Sequence, residues 1–203
     1  MEHMENQITI RGALASPPSF SHENHGRQFF RFSLEVPRLS GAVDVLPVVA
    51  PEPILEGLKP TVGDSLRIEG QIRSHNIRRE DGRHLQIFVF ASLICMDDEA
   101  PVNDVVLEGT ICREPTFRRT PLGREICDVM LAVPRAFHRA DYLPCILWGR
   151  TAQEAARCHT RDVLQISGRL QSRDYTKQTP DGPENRTAYE ISAMTAQIPE
   201  ELF

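Results

Sequence analysis

The chain has 203 residues, 40% hydrophobic and 25% charged, which is room for one large globular domain or two small ones. Its formal net charge of −5 argues mildly against nucleic acid, because proteins that hold phosphate backbones usually carry a basic footprint. The opening MEHMENQ is polar and acidic, unlike a secretory signal, and no apolar run approaches the roughly 20 residues of a membrane helix, so a cytoplasmic protein is expected.

Taken in order, the chain reads as one unit written twice. A shift of 97 residues pairs 8–49 with 105–146 without a gap. Under it Gly12 meets Gly109, Pro18 meets Pro115, Phe20 meets Phe117, Leu34 meets Leu131 and Asp44 meets Asp141. Further on the shift becomes 98, matching Ile68, Gly70 and Ser74 with Ile166, Gly168 and Ser172. That period is too long for a solenoid repeat and implies a duplicated domain, with units 1–100 and 101–203.

Each copy opens on an alternating strand, Ile8–Leu14 and Asp104–Ile111. Hairpin tips follow at His22–Arg27 and Thr120–Arg124, where Gly26 and Gly123 supply the permissive backbone of a tight turn. In the second strands, Gln28–Val36 and Glu125–Val133, apolar residues fall at every second position. Third strands are Asp44–Ala50 and Asp141–Trp148, and short helices are expected at Pro53–Leu58 and Thr151–Cys158. Thr151 and Glu154 stand at the spacing of a capping box. Fourth strands Ser65–Arg73 and Val163–Arg173 are joined to fifth strands Leu85–Leu93 and Ala188–Ala196 by polar loops, 74–83 and 174–186, each with an Asp-Gly turn signal. Five strands with a helix between the third and fourth predict an all-β chain of two tandem OB-folds, five-stranded Greek-key barrels that often bind oligonucleotides.

The third strand of the second copy carries the only tryptophan, Trp148, six residues after Tyr142. An even spacing puts both rings on one face of a strand, about 20 Å apart at roughly 3.3 Å per residue. Two rings flanked by Arg139 and Arg150 suit a single-stranded nucleic acid, whose bases stack and whose phosphates need cations; burial in a core is the alternative for such rings. Only two of the 23 basic residues are lysines, Lys59 and Lys177, and arginine favours planar, anionic ligands. A high-GC genome would produce the same bias.

The second copy resembles the bacterial single-stranded DNA-binding protein family across nearly all of 104–196. The resemblance rests on Gly109, Pro115, Gly123, the strand DVMLAVPR (128–135), WGRTAQEA (148–155) and ISGRLQSRDY (166–175). It implies that Phe137, Tyr142, Trp148 and Tyr175 stack bases. It also implies that phosphates are met from among Arg118, Arg119, Arg124, Arg135, Arg139, Arg150, Arg169, Arg173 and Lys177. The first copy places Ser40, Val45, Pro51 and Ile77 at the four ring positions, and none of them stacks a base. It is therefore expected to serve assembly, or to bind weakly through Arg73, Arg78, Arg79 and Arg83, with a solvated loop tip the equal alternative for that arginine run. Its own Phe29, Phe30, Phe32, Phe88 and Phe90 lie in strands, with about half expected in the core.

The family resemblance further implies roles in DNA replication, recombination or repair, a homodimer giving four OB-folds, and possible replication or repair proteins as partners. The terminal IPEELF (198–203) resembles in miniature the family's acidic partner-docking tip but lacks its long linker, and an ordinary frayed terminus is the alternative. The rival reading is a primosome-like or assembly adaptor acting mainly through protein contacts. No enzyme is expected, since phosphate-loop, zinc-protease and nucleophile-elbow motifs are all missing. No cofactor is expected either. His22 and His25 lack a third metal ligand in sequence. The five cysteines, 95, 112, 127, 145 and 158, are scattered without a C-x-x-C and read as buried or half-buried thiols.

Overall fold

The computed structural model describes residues 5–79, 82–179 and 182–198, without the side chains of Arg79 and Arg83. The first half comprises β1 (Asn6–Asn24), β2 (Arg27–Pro37), β3 (Val43–Pro51), α1 (Glu52–Leu55), β4 (Ser65–Arg79) and β5 (Gly82–Met96). The second comprises β6 (Val102–Ile111), β7 (Thr116–Arg119), β8 (Glu125–Arg135), β9 (Arg139–Trp148), α2 (Gly149–Ala155), β10 (Val163–Thr179) and β11 (Gly182–Gln197). Pairing closes each half into a barrel. The first runs β1–β2–β3–β5–β4 and back to β1, and the second runs β6–β8–β9–β11–β10 and back to β6. In both, the link from third to fifth strand is parallel and the rest antiparallel. The expected pair of OB-folds is the observed architecture.

Period-2 patterning explains the interior. Leu34 and Val36 on β2 and Leu46 and Val48 on β3 are buried, as are Leu131 and Val133 on β8 and Leu143 and Cys145 on β9. The buried residues of both halves form one contiguous apolar cluster. Of Phe29, Phe30, Phe32, Phe88 and Phe90 only Phe32 is buried, fewer than the half expected. Cys127, Cys145 and Cys158 are buried and Cys95 half-buried, but Cys112 is exposed, because it lies in the break between β6 and β7.

That break is one difference between the copies. β1 runs 19 residues through the stretch with Pro17 and Pro18, at the expense of three register shifts. In the second half Pro115, which has no N–H to donate, precedes a fresh start at β7.

The polar segments read as loops, 74–83 and 174–186, are instead two-stranded arms. The β4/β5 ladder continues to Arg79–Gly82 and the β10/β11 ladder to Thr179–Gly182. Alternation gave no sign of them because polar residues predominate along both strands of each arm. The Asp-Gly signals mark the arm ends: Gly82 and Gly182 have φ of 121° and 115°, a region glycine enters freely.

The two barrels join along β1 and β6, antiparallel from Asn6–Leu107 to Arg11–Val102. Ile8 pairs with Val105, its own counterpart under the repeat, so the joint has a local two-fold axis. The same symmetry governs two carboxylates that reach across it. Asp44 accepts from Arg38 Nε (2.7 Å) within its barrel, and from Ser172 N (2.6 Å) and Oγ (2.9 Å) of the other. Asp141 accepts from Arg73 Nη1 (3.0 Å) and Ser74 N (2.7 Å) of the first barrel, and from Arg135 Nη1 (3.4 Å) of its own. Both carboxylates are fully buried. Burial would push the Asp44 carboxyl up. The hydrogen bonds from Arg38 and Ser172, with the Arg38 charge, outweigh it and hold the group below the usual carboxylate range.

Removing one partner of such a buried pair strands the others. Asp44→Ala should cost on the order of 3 kcal/mol in urea unfolding. Folded Asp44 ionises below the unfolded value of about 3.9, so its contribution is complete above that value and is lost as pH falls through it. Wild-type stability should therefore fall more steeply below about pH 4 than that of Asp44→Ala, measured as urea midpoint against pH.

Candidate nucleic-acid interface

β9 sends every second side chain outward, and Tyr142 and Trp148 lie on that outer face, 45% and 36% exposed. Trp148 is pinned at its edge, its indole Nε1 donating to Ser192 Oγ on β11 at 3.1 Å. Across the β8/β9 ladder its neighbour is Ile126, which is buried although it lies outside the main apolar cluster. Directly after the ring the backbone swings into α2 through Gly149, whose φ of 54° suits glycine. Thr151 is not the helix N-cap, as its spacing suggested; Trp148 holds that place. Thr151 Oγ1 donates to Trp148 O at 2.7 Å and accepts from Trp148 N at 3.3 Å, so it fixes the ring's own backbone. Glu154, the other half of the expected box, pairs with Arg150.

Tyr142 follows Asp141 directly, and its N–H donates to Ser74 Oγ of the first barrel at 2.7 Å. Phe137 stands at the β8/β9 tip, 91% exposed, between Arg135 and Arg139, which pair with each other in the ladder. Both Phe137 and His138 have left-handed backbone, with φ of 62° and 53°. Tyr175 is 37% exposed on the β10 arm, with the Arg173 guanidinium 5.7 Å from its ring centroid. It pairs with Arg186, six residues before Ser192 on a strand parallel to β9, which places it toward the Tyr142 end of the face. All four rings thus stand open to solvent.

The arginines are less free than the sequence suggested. Arg118 pairs with Asp128 (2.6 Å), Arg119 with Glu125 (2.8 Å), Arg150 with Glu154 (2.9 Å) and Arg173 with Glu190 (3.7 Å). Arg135 belongs to the buried Asp141 cluster. Among the described residues Arg124, Arg139 and Arg169 have no carboxylate partner. Arg169 lies opposite Ser192 in the β10/β11 ladder, and so beside Trp148. Lys177 is half-buried on the arm. Of the first-barrel set, Arg73 is only 19% exposed and engaged with Asp141 and Gln71, so it is a structural cation and not an open one. Arg78 is exposed, while the side chains of Arg79 and Arg83 lie outside the described residues. So do residues 199–203 of the terminal IPEELF. Among the described residues no group of three or more His, Cys, Asp or Glu side chains is placed to hold a metal ion, and no helix is long and apolar enough to cross a membrane.

Sequence reasoning missed the carboxylates that neutralise the face and the partners that hold the rings, Ser192 and Ser74. Only Arg150 and Glu154, four apart on a helix, were legible as a pair.

Two closed five-stranded barrels, one with an outer face of open rings and arginines, define a tandem OB-fold protein. Residues 102–199 match the model of the single-strand binding protein family. The chain is 36% identical over 83 residues to single-stranded DNA-binding protein B of Bacillus subtilis, covering 37% of this chain and 74% of that one. It is 34% identical over 84 residues to single-stranded DNA-binding protein 1 of Lactococcus lactis, covering 38% of this chain and 56% of that one. The chain thus spans about half to three quarters of the length of these relatives. The crystal structure of the wild-type single-stranded DNA binding protein from Thermus aquaticus superposes with a TM-score of 0.79 at 21% identity, covering 98% of this chain and 95% of that one. That likeness extends the shared fold to both barrels. The chain belongs to the single-strand binding protein family.

Phe137→Ala should leave the urea midpoint within about 0.5 kcal/mol of wild type, since its ring has almost no packing to lose. His138→Gly should raise the midpoint, because glycine adopts a left-handed backbone without strain.

Proposed function

We propose that the second barrel binds single-stranded DNA with little sequence preference, in DNA replication, recombination or repair. The observation that carries this reading is that Phe137, Tyr142, Trp148 and Tyr175 are each more than a third exposed, on a barrel whose family relatives are named for that ligand. A ring left open to water buries its apolar face only when a partner arrives, and a base supplies a flat face of the right size. Each such stack is worth about 1–3 kcal/mol. Arg124, Arg139 and Arg169 meet phosphates first, and the surface arginines now paired with carboxylates exchange partners as the strand docks. The first barrel, with Pro51 buried where the second has Trp148, is the auxiliary copy, and Arg78 is an exposed cation on its arm. Two chains assemble through their barrels into a four-barrel homodimer in the cytoplasm, and replication or repair proteins dock on that assembly. The reading assigns no catalysis.

A protein-adaptor reading draws on the same carboxylates, since a face that neutralises its own arginines has less pull on phosphate. One titration separates the two. Oligo-dT should quench Trp148 fluorescence, with a log–log salt slope of about −2 to −3.5, corresponding to roughly three to five phosphates at about −0.7 each. Trp148→Ala with Tyr175→Ala should weaken binding by about 2–6 kcal/mol. No quenching, together with no salt-sensitive affinity in a filter-binding assay, would leave the adaptor reading standing.

A further inference from the structure

The two arms meet on the local two-fold axis. Ile77 lies opposite His84 in the β4/β5 ladder, and Tyr175 lies opposite Arg186 in the β10/β11 ladder. Ile77 and Tyr175 are counterparts under the repeat, so His84 and Arg186 are counterparts too. Arg186 Nη1 lies 3.3 Å from His84 Nδ1, a contact between equivalent positions and therefore on the axis itself. Identical copies would set a residue there against its own kind. Here divergence has placed a donor against an acceptor.

A guanidinium can only donate, so Nδ1 must accept, and the proton of the neutral imidazole sits on Nε2. The arginine side chain is 12% exposed, and its Nη2 and Nε donate to Glu184 at 2.6 and 3.0 Å. His84 is half-buried. Opposed residues of a ladder share a face, as do alternate residues along each strand. On its own arm His84 therefore shares a face with Ile77, His75 and Arg73. On the other arm Arg186 shares one with Tyr175, Arg173, Lys177 and Glu184. Cations predominate on these faces, and carboxylates are already engaged: Asp141 holds Arg73, Glu190 holds Arg173 and Glu184 holds Arg186. A proton on His84 removes the accepting lone pair and sets a second cation against the guanidinium.

We propose that His84 and Arg186 form a proton-gated latch between the two arms, and that the latch positions Tyr175. With His84 neutral the arms are tied to each other. With His84 protonated both arms loosen beyond their bases at Ser74 and Ser172, which Asp141 and Asp44 keep anchored. Histidine is the side chain whose charge ordinarily changes between about pH 5 and 8. Tyr175 stands directly opposite Arg186, so the direction of its ring follows the latch. The positioning of Tyr175 rests on the reading that the second barrel binds single-stranded DNA; the latch itself does not.

The test is hydrogen exchange of the intact protein at about pH 7.5 and about pH 5.5, with labelling times scaled for the intrinsic rate. Peptides from both arms should exchange about three- to tenfold faster at the lower pH, as one contact is lost, while the β1/β6 joint stays unchanged. His84→Gln keeps a side-chain acceptor and does not titrate, so its arms should stay protected at both values. His84→Lys carries a fixed charge, and its arms should exchange fast at both. Three results would overturn the latch: wild-type arms that exchange alike at both values, a His84→Gln variant whose arms still open at the lower one, or a His84→Lys variant that stays closed. Trp148 quenching by a dT oligomer of about 10 nucleotides reads the positioning. Wild type and His84→Gln should bind equally at the higher pH, and wild type about two- to fivefold more weakly than His84→Gln at the lower. Equal affinities at the lower pH would overturn the positioning of Tyr175. No binding by either protein would remove the single-stranded DNA reading and the positioning with it, while arm exchange would still decide the latch.

Discussion

Asp44 and Asp141 are buried carboxylates, and a buried carboxylate is tolerable only when every lone pair is matched. Each is matched from both barrels at once. An arginine from its own barrel, Arg38 or Arg135, supplies charge, and a serine of the other barrel, Ser172 or Ser74, supplies a backbone N–H. Those serines mark the places where the arms leave the barrels. The clamps therefore fix the β1/β6 joint and the departure of both arms together. Ser172 lies three residues before Tyr175, and Asp141 is bonded in sequence to Tyr142. Half of the ring face is thus aimed by the contacts that hold the barrels together, and no independent loop has to be ordered for it.

In a chain of net charge −5, carboxylates also stand beside the arginines of the second barrel's outer face. Glu125, Asp128, Glu154 and Glu190 stand beside Arg119, Arg118, Arg150 and Arg173. In the free protein the pairs of Arg118 and Arg150 contribute little each, since water screens them, while the Glu125 and Glu190 side chains are half-buried. They keep the face from carrying a strong uncompensated field, and a phosphate can replace a carboxylate at small cost.

The duplication and its strands were legible because inward-facing positions must be apolar at every second residue, and Leu34, Val36, Leu131 and Val133 obey that rule in both copies. The arms were not legible. Their ladders are as regular as those of the barrels, but the segments 74–79 and 174–179 are mostly exposed, so the sequence carries no alternation to read. The four rings were recoverable from family resemblance, whereas Ser192 and Ser74 were not, since a hydroxyl partner across a sheet leaves no spacing in the chain. The place of Arg73 in the joint is not legible for a related reason. A cation in a polar segment reads as solvated, and only the fold shows that Asp141, 68 residues away, takes it into the joint.

The two β-hairpin tips that follow the second strands offer a controlled comparison. The first copy turns through Ser40 and Gly41, and Gly41 takes the left-handed backbone with φ of 86°. The second places Phe137 and His138 at those positions, and both adopt left-handed φ, where side chains cost of order 1–3 kcal/mol each. The fold itself does not require this strain, since a glycine makes the same turn 97 residues earlier. What the strained tip gains is a ring held almost wholly in water, set between two arginines at the end of the β9 face. At this tip the strain falls in the copy that bears the rings and not in the copy with Ser40 and Gly41, so packing of the shared fold is not its cause.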